Sequence, residues 1–525
     1  MNIIEITKRY MELNSMSDKT SYELEEMKTH KHTIELWSHM GNNDMKLLFD
    51  CILKRNNPNG FSVEILKSKE FSDDIKYIVS NVFYSYLTSV KRDFKIDNEF
   101  ISDWKEAYES FPIEDDDNDI QSDDYFLKEY ISNNKTLMYR YILDHHFSNK
   151  FLQNKLIVLK GWSSATPIIN SYFRNDYCNG GGFYVNINGT GIVVDPGCNF
   201  IKNMHEQGIR IFDIQYIIVT HNHIDHNANI MELQNLNYEY NSYIAKYSKD
   251  VLNHKKIPKN YPNKITWIID KETKKTIDSN TDFFEQINIS KDDNFKINEF
   301  IVPDLDNDSC EENLNDKATK KFINETQVQT ITIENSLEPI KLTCFRTYHM
   351  KNSYGIYLKS LINKDMVSIG FTSDTGYFKR LPDLLNDCKI IIENISELAD
   401  EDLKPGGIPI NANHLKLNGC IKTIAKMSNP PKLVLVSEFW GGKDDIRLFI
   451  TKRIQEGIVK TTKLKDDSDI ETPRVLAADI GLTVKLDNYT VLCSACGKEV
   501  SANKISTVQN EKYGQLKYIC HRCHA

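Results

Sequence analysis

Residues 220–226 read Thr-His-Asn-His-Ile-Asp-His, directly after the apolar run Ile217-Ile218-Val219. His221 and His223 alternate along an extended segment, so both side chains point to one side. Asp225 and His226 follow as the chain turns into a helix. Neutral imidazole nitrogens and carboxylate oxygens form a donor set that suits zinc and similar borderline cations. Three histidines and an aspartate at the mouth of a buried strand are costly in a core, and a bound metal explains them. A second carboxylate signature, Asp195-Pro196-Gly197, ends the earlier apolar run Ile192-Val193-Val194. Near the C-terminus, Cys493-Ser-Ala-Cys496 and Cys520-His-Arg-Cys523 form two pairs of thiols. Two such knuckles give a closed tetrahedral zinc site, with His521 and His524 as substitutes within the same cluster.

The elements that must position these groups fall into three stretches. Residues 1–152 read as a helical domain, with apolar residues at helical spacing in Leu47, Leu48, Cys51, Ile52 and in Ile78, Val79, Val82, Phe83, Tyr86, Leu87. The acidic run Glu114 to Asp124 reads as a solvated loop and Tyr130 to Phe151 as a last helix. The pairs His30/His32 and His145/His146 read as surface or packed residues rather than ligands. From Leu156 the texture becomes β-rich: a strand at Leu156–Leu159, a strand at 183–187, the hairpin turn Asn188-Gly189 and a return strand at 192–194. Helix–strand alternation then continues to about residue 487, the pattern of a layered α/β architecture. Within this stretch, about 227–348 is long for a connection and includes the acidic segment Asp304 to Asp316; it is expected to be an insertion, a lid or a dimer contact. Residues 488–525 are expected to form a separate small module, too short to hold together without its metal.

The chain has 525 residues, 40% of them hydrophobic and 26% charged, which suits a soluble globular protein of several domains. A net charge of −9 argues against a generic nucleic-acid binder without excluding a local basic groove. Such a groove has candidates in the lysines and arginines collected over about 416–465. No secretory signal or membrane span is evident, so the expected compartment is the cytoplasm. Eleven cysteines then suggest thiols and metal ligands rather than disulfides; those outside the C-terminal pairs read as small buried hydrophobes.

The His-x-His-x-Asp-His run, preceded by its strand and by Asp195, resembles the signature of the metallo-β-lactamase superfamily. That resemblance implies an α+β fold, an αββα sandwich, here at 153–487 between the N-terminal helical domain and the C-terminal zinc ribbon. It also implies further ligands. A histidine ending a later strand is supplied by His349, and an aspartate after another apolar strand by Asp374. By resemblance, His221, His223 and His349 hold one metal, Asp225 and His226 the second, and Asp374 bridges them, while Asp195 orients the histidine loop. Many relatives complete the second site with a histidine. Here Glu438 stands in that place, His414 is the other candidate, and a weakened or vacant second site is the third reading.

The strand Ile390–Ile392 ending in Glu393, and the helix begun by His414-Leu415, resemble ribonuclease Z and its relatives. The opening loop Gly161–Pro167 is similar to theirs as well. The resemblance implies a zinc-dependent phosphodiesterase or nuclease with a metal-bound hydroxide as nucleophile. Its candidate catalytic groups are Asp225, His414 as proton donor and Glu393 orienting it. The implied cofactors are two zinc ions in the hydrolase site, with manganese as an alternative there, and one zinc in the ribbon. No long arm for transfer RNA is evident, so transfer-RNA maturation is not expected. Rival readings are a thioester, lactone or amide hydrolase on the same fold, or a binding protein with a degenerate site. The implied partners are a nucleic acid or nucleotide substrate, a protein met through the helical domain or ribbon, and a second copy of the chain. No membrane is expected.

Overall fold

The computed structural model describes residues 3–16, 19, 21–40, 43–54, 57–58, 61–67, 73–110, 130, 153–163, 180–247, 261–279, 286–288, 294–305, 328–334, 337–404, 406–407, 412–440, 444–463, 472–509 and 514–524. The expected helix Tyr130–Phe151, the acidic run Glu114–Asp124 and His145/His146 fall almost wholly outside these residues, as does most of Asp304–Asp316. The chain divides into two units, Met1–Asn133 and Asn134–Ala525.

The first unit is helical: α1 (Ile3–Ser15), α2 (Ser21–Met40), α3 (Asn43–Lys54), α4 (Asp73–Phe94) and α5 (Asn98–Ser110). The apolar positions at helical spacing close its core, with Leu48, Ile52, Val79, Val82, Phe83, Tyr86 and Leu87 all buried. Phe83 packs edge-on against Trp104 at 4.5 Å, a favoured aromatic geometry. His30 lies against Glu26 at 3.5 Å and His32 is exposed.

The second unit is two facing sheets. The first runs β18-β17-β16-β1-β2-β3-β4-β5-β8. In chain order its strands are β1 (Lys155–Val158), β2 (Phe183–Ile187), β3 (Thr190–Val194), β4 (Tyr216–Val219), β5 (Ile265–Ile269), β8 (Asn298–Ile301), β16 (Thr483–Lys485), β17 (Thr490–Leu492) and β18 (Glu499–Ser501). Between β5 and β8 lies the small hairpin of β6 (Gln286–Asn288) and β7 (Asn294–Lys296). The second sheet runs β15-β14-β13-β12-β11-β10-β9. It is built from β9 (Gln329–Ile333), β10 (Ile340–Arg346), β11 (Tyr354–Ile362), β12 (Asp365–Phe371), β13 (Ile390–Ser396), β14 (Leu433–Phe439) and β15 (Arg474–Ala477).

Strand alternation decides which residues meet. Leu156, Val158, Phe183, Val185, Ile192 and Val194 face the second sheet and join Leu342, Ile356, Leu358, Ile369 and Phe371 in one core. Their neighbours Ile157, Leu159, Tyr184, Val193, Ile217 and Val219 face outward, under the helices Phe200–Glu206, Ile230–Tyr247 and Lys271–Asp278. The helices Leu381–Leu385, Lys416–Ala425 and Arg447–Lys463 pack on the second sheet through Leu381, Leu385, Cys420, Ile424, Ile454 and Ile458. The result is the αββα layering that the resemblance implies.

Two expectations of organisation are corrected. The stretch 227–348 is not an insertion hung on the fold. It supplies the helix Ile230–Tyr247, the strands β5 and β8 of one sheet, and β9 and β10 of the other. Its length reflects the crossover from one sheet to the next, which needs helices and strands of its own. Nor is 488–525 a separate module. β17 and β18 extend the first sheet, Tyr518 donates its hydroxyl to the Ala477 carbonyl, and Leu516 N–H donates to Asp479 at 2.7 Å. Cys493, Leu516, Tyr518 and Cys520 belong to the main core, so the sheet supports the ribbon in addition to any metal held there.

Candidate metal centre

The groups singled out in the sequence converge at the carboxyl ends of the parallel strands, the usual place for ligands in such sheets. β3 ends at Asp195, β4 runs into His221–His226, β12 into Asp374, β13 into Asn394 and β14 ends at Phe439, next to Glu438. His221 Nε2, His223 Nδ1 and His349 Nε2 stand 3.1 and 3.0 Å apart in sequence around the cluster. Asp374 Oδ2 lies 3.9 Å from His221 Nε2, 3.8 Å from His349 Nε2 and 3.4 Å from His226 Nε2. Asp225 Oδ2 is 3.7 Å from His226 Nε2. Bonds of about 2.1 Å to a tetrahedral ion place donor atoms about 3.4 Å apart. The donor set fits two divalent ions, one within His221, His223, His349 and Asp374, the other within Asp225, His226 and Asp374.

The outer contacts leave the inward nitrogens free for that purpose. His226 Nδ1 is held by Asp195 Oδ2 at 2.8 Å, His349 Nδ1 by the Asn413 carbonyl at 3.1 Å and His221 Nδ1 by Thr220 Oγ1 at 3.2 Å. Such partners fix ring orientation and tautomer. His226 Nε2 is buried and without a hydrogen bond, an orphan that a cation would satisfy. Asp195 also accepts from Thr220 N–H at 2.8 Å and from Thr220 Oγ1 at 2.9 Å, while Ser373 Oγ donates to Thr220 Oγ1 at 2.7 Å. This relay spans both sheets. Tyr354 reinforces it: its hydroxyl donates to the carbonyls of Val219 and Ile268, clamping β11 to the loop-bearing strand. Asp195, Ser373 and Glu438 all have positive φ, 52°, 53° and 58°. Each such non-glycine residue costs on the order of 1–3 kcal/mol, and they sit where the site needs its groups re-aimed. At Gly376 a Cβ would fall 1.8 Å from the Ala412 carbonyl, so only glycine lets the Asp374 loop meet the segment carrying His414.

Electrostatics follow burial and charge. Burial holds the pKa of His221 well below its ordinary value and pushes His349 down to about 4, so both are neutral and free to act as donors. Burial also opposes charge on His226, but Asp195, Asp374 and Asp225 outweigh it and raise its pKa well above the usual value. Asp374 is drawn the other way: burial would raise its pKa, but the surrounding histidines lower it far more. The edge of His223 is exposed, and Ile224 beside it is 64% exposed, so the cluster opens to solvent on that side.

His414 joins the cluster, its Nδ1 lying 3.7 Å from Asp374 Oδ2 with no hydrogen bond of its own. Glu393 does not orient it. The Glu393 carboxylate is fully buried against the Cys420 thiol, away from His414, and burial raises its pKa well above the ordinary value. Strand period explains the correction: Glu393 points under the helix Lys416–Ala425, and its neighbour Asn394 points into the site, donating from Nδ2 to Asp374 Oδ1 at 2.9 Å. Glu438 also departs from the ligand role. It is paired with Lys160, both essentially buried, and stands outside the two donor groups. Lys160 and Asn394 were not singled out in the sequence. A lysine directly after the apolar run Leu156–Leu159 is the signal that could have marked the first, and the strand's two-residue period the second.

The four thiols of Cys493, Cys496, Cys520 and Cys523 also converge. Cys496 and Cys520 Sγ are 4.0 Å apart, Cys520 and Cys523 Sγ 3.6 Å. Bonds of about 2.3 Å to a tetrahedral zinc place sulfurs about 3.8 Å apart. Burial opposes the Cys493 thiolate, but backbone N–H donors of Cys520, Cys496 and Ala495 bring its pKa down to about 6. His521 is exposed and stands outside the cluster. Elsewhere Cys344, Cys388 and Cys420 are buried, while Cys198 is partly exposed.

Residues 182–275 match the family model described as Metallo-beta-lactamase superfamily. The matched segment holds Asp195 and the whole His221–His226 run, and the αββα layering surrounds it. That segment is therefore similar to the metallo-β-lactamase superfamily, and it lies within an αββα domain. A comparison with curated proteins finds no match. Among solved structures, the fold protein YhfI from Bacillus subtilis is similar at 13% identity, covering 63% of this chain and 98% of its own, with a TM-score of 0.40. The human short-form tRNase Z shares 12% identity over 63% of this chain and 99% of its own, at a TM-score of 0.35. A long-form RNase Z from yeast shares 15% over 66% of this chain and 43% of its own, at 0.40. No helix among the described residues is long and apolar enough to cross a membrane.

Proposed function

We propose that this protein is a phosphodiesterase or nuclease that uses two zinc ions in the His/Asp cluster, with manganese as the alternative there, and one structural zinc among the four cysteines. A nucleic acid or nucleotide is its substrate. Two divalent ions, when bound in such a cluster, would supply Lewis acidity and make water a stronger nucleophile. The protein's own groups do the rest. His221, His223 and His349 would hold one ion and Asp225 and His226 the other, while Ser163 Oγ donates to Asp225 Oδ2 at 3.2 Å and steadies it.

The observation that carries the phosphodiester reading is His414, a further imidazole beside Asp374 whose Nδ1 has no hydrogen-bond partner. It is in place to deliver a proton to a leaving oxygen. Burial lowers its pKa, but an incoming phosphodiester brings an anion beside the ring and favours the protonated form.

The test is a substrate panel of single-stranded RNA, single-stranded DNA, bis(p-nitrophenyl) phosphate, a thioester and a lactone. Turnover of the phosphodiesters that disappears in His223→Ala supports the reading. Preference for the thioester or the lactone would replace it with the rival hydrolase.

A further inference from the structure

The second metal position has three protein donors, Asp225, His226 and Asp374. A further carboxylate oxygen, Glu438 Oε1, lies 3.8 Å from His226 Nε2. That oxygen is engaged by the Lys160 ammonium, and the two side chains are only 2% and 1% exposed. Lys160 Nζ also donates to the Asp225 carbonyl at 3.1 Å, so the cation is anchored to the loop that carries two of the three donors. The other carboxylate oxygen, Glu438 Oε2, is buried and has no hydrogen-bond partner. Glu438 is thus half-satisfied, held by a lysine through one oxygen while the other has no hydrogen bond.

We propose that the Lys160–Glu438 ion pair sets the occupancy of the second metal position. With the pair closed, the cluster holds one divalent ion firmly at His221, His223, His349 and Asp374, and a second one weakly at Asp225, His226 and Asp374. Separating the pair frees Glu438 as the fourth donor. This inference rests on the reading above that the His/Asp cluster holds metal. The physics is a competition for one carboxylate. The ammonium is a fixed positive charge at the edge of the position, in surroundings that screen poorly, and it repels an arriving cation. It also neutralises one of the carboxylates that would attract that cation. Removing the lysine leaves a buried uncompensated carboxylate, an unfavourable state that a captured divalent ion relieves. A pair that merely tied the end of β1 to the end of β14 would leave metal occupancy alone and affect only stability.

The experiment uses the full chain, stripped at the His/Asp cluster, with zinc retained in the ribbon as a check of folding. Mn2+ is titrated in, bound metal is measured after equilibrium dialysis, and the Mn2+ electron paramagnetic resonance spectrum reports whether the ions are isolated or exchange-coupled. The wild type is expected to bind one Mn2+ tightly, with the spectrum of an isolated ion, and the second at least about tenfold more weakly. Lys160→Met is expected to bind the second ion at least about tenfold more tightly than the wild type and to give a coupled spectrum at two equivalents. Glu438→Gln should not show that gain. Where Lys160→Met loses its ribbon zinc and fails to fold, the double variant Lys160→Met/Glu438→His removes both charges, supplies an imidazole, and should show the same gain. Two ions bound with the same affinities in the wild type and in the folded lysine variant overturn the proposal while leaving the metal reading intact. No Mn2+ bound at the cluster in any variant overturns both.

Discussion

Asn394 Nδ2 holds Asp374 Oδ1 at 2.9 Å, and so turns Oδ2 toward four imidazoles. That oxygen stands 3.9, 3.4, 3.8 and 3.7 Å from His221, His226, His349 and His414 respectively. One carboxylate oxygen is therefore the hub of the site, and an amide from the next strand aims it. Asn394→Ala should leave the fold intact and weaken metal retention by about 10–100-fold, the usual effect of losing a partner that orients a ligand. Metal analysis after dialysis against a weak chelator reads this. Retention equal to the wild type would show that Asp374 needs no such support.

His414→Ala should lower kcat on a phosphodiester by about 10²–10⁴-fold while the bound metal stays constant, because the ring is outside both donor groups. Steady-state kinetics paired with metal analysis separate the two effects. Loss of metal in parallel with activity would make His414 a ligand instead of a proton donor.

The pH dependence has opposite signs at two histidines. His349, pushed down to about 4 by burial, stays an unprotonated ligand until the pH approaches that value. His226, raised well above its ordinary value by Asp195, Asp374 and Asp225 against the effect of burial, has its protonated form favoured in the metal-free protein. Loading the second position must expel that proton, so its metal is lost at a higher pH than the metal of the first position. For the metal-free protein, the depressed pKa of His349 contributes stability that is present above about 6.5 and lost as pH falls toward about 4. The raised pKa of His226 contributes stability that is present below about 6.5 and lost as pH rises through its folded value. Stepwise metal release against pH, with calorimetry in buffers of different protonation enthalpy, measures both.

Much of this site was legible in the sequence because metal ligands come as rare residue types at fixed positions after apolar strands. His221, His223, Asp225, His226, His349 and Asp374 could be read in that way, and so could the four cysteines. The parts that were not legible depend on which way a side chain points. Glu393 and Asn394 are adjacent, and only the pleat of β13 decides that the asparagine enters the site while the carboxylate lies under a helix. Glu438 follows the expected strand, but its partner Lys160 is 278 residues away in the chain. The sequence gives no sign of that pairing until the two sheets are assembled. The same holds for 227–348, whose length looked like an insertion and whose strands in fact complete both sheets.

The ribbon is wired to the domain through Arg447, which is fully buried. Its guanidinium donates to Asp479 Oδ2 at 2.8 Å and to the Gly514 carbonyl at 2.8 Å, and it stacks on Trp162 at 4.2 Å. Arg447→Met should destabilise the domain by about 3–5 kcal/mol, because Asp479 is then buried without its cationic partner. Urea unfolding of the second unit's tertiary signal reads the cost. A change below about 1 kcal/mol, the scale of exposed pairs, would mean that the pair contributes little to stability.

The central claim is that two separate donor clusters hold metal, one of them with room for a pair of ions. Crystals of the full chain grown with zinc in excess, with diffraction recorded on either side of the zinc absorption edge, test it most directly. The account predicts anomalous peaks at His221, His223, His349 and Asp374, a second peak of lower occupancy beside Asp225 and His226, and one more among Cys493, Cys496, Cys520 and Cys523. A map with density at the cysteines alone, and none among the histidines, would contradict it.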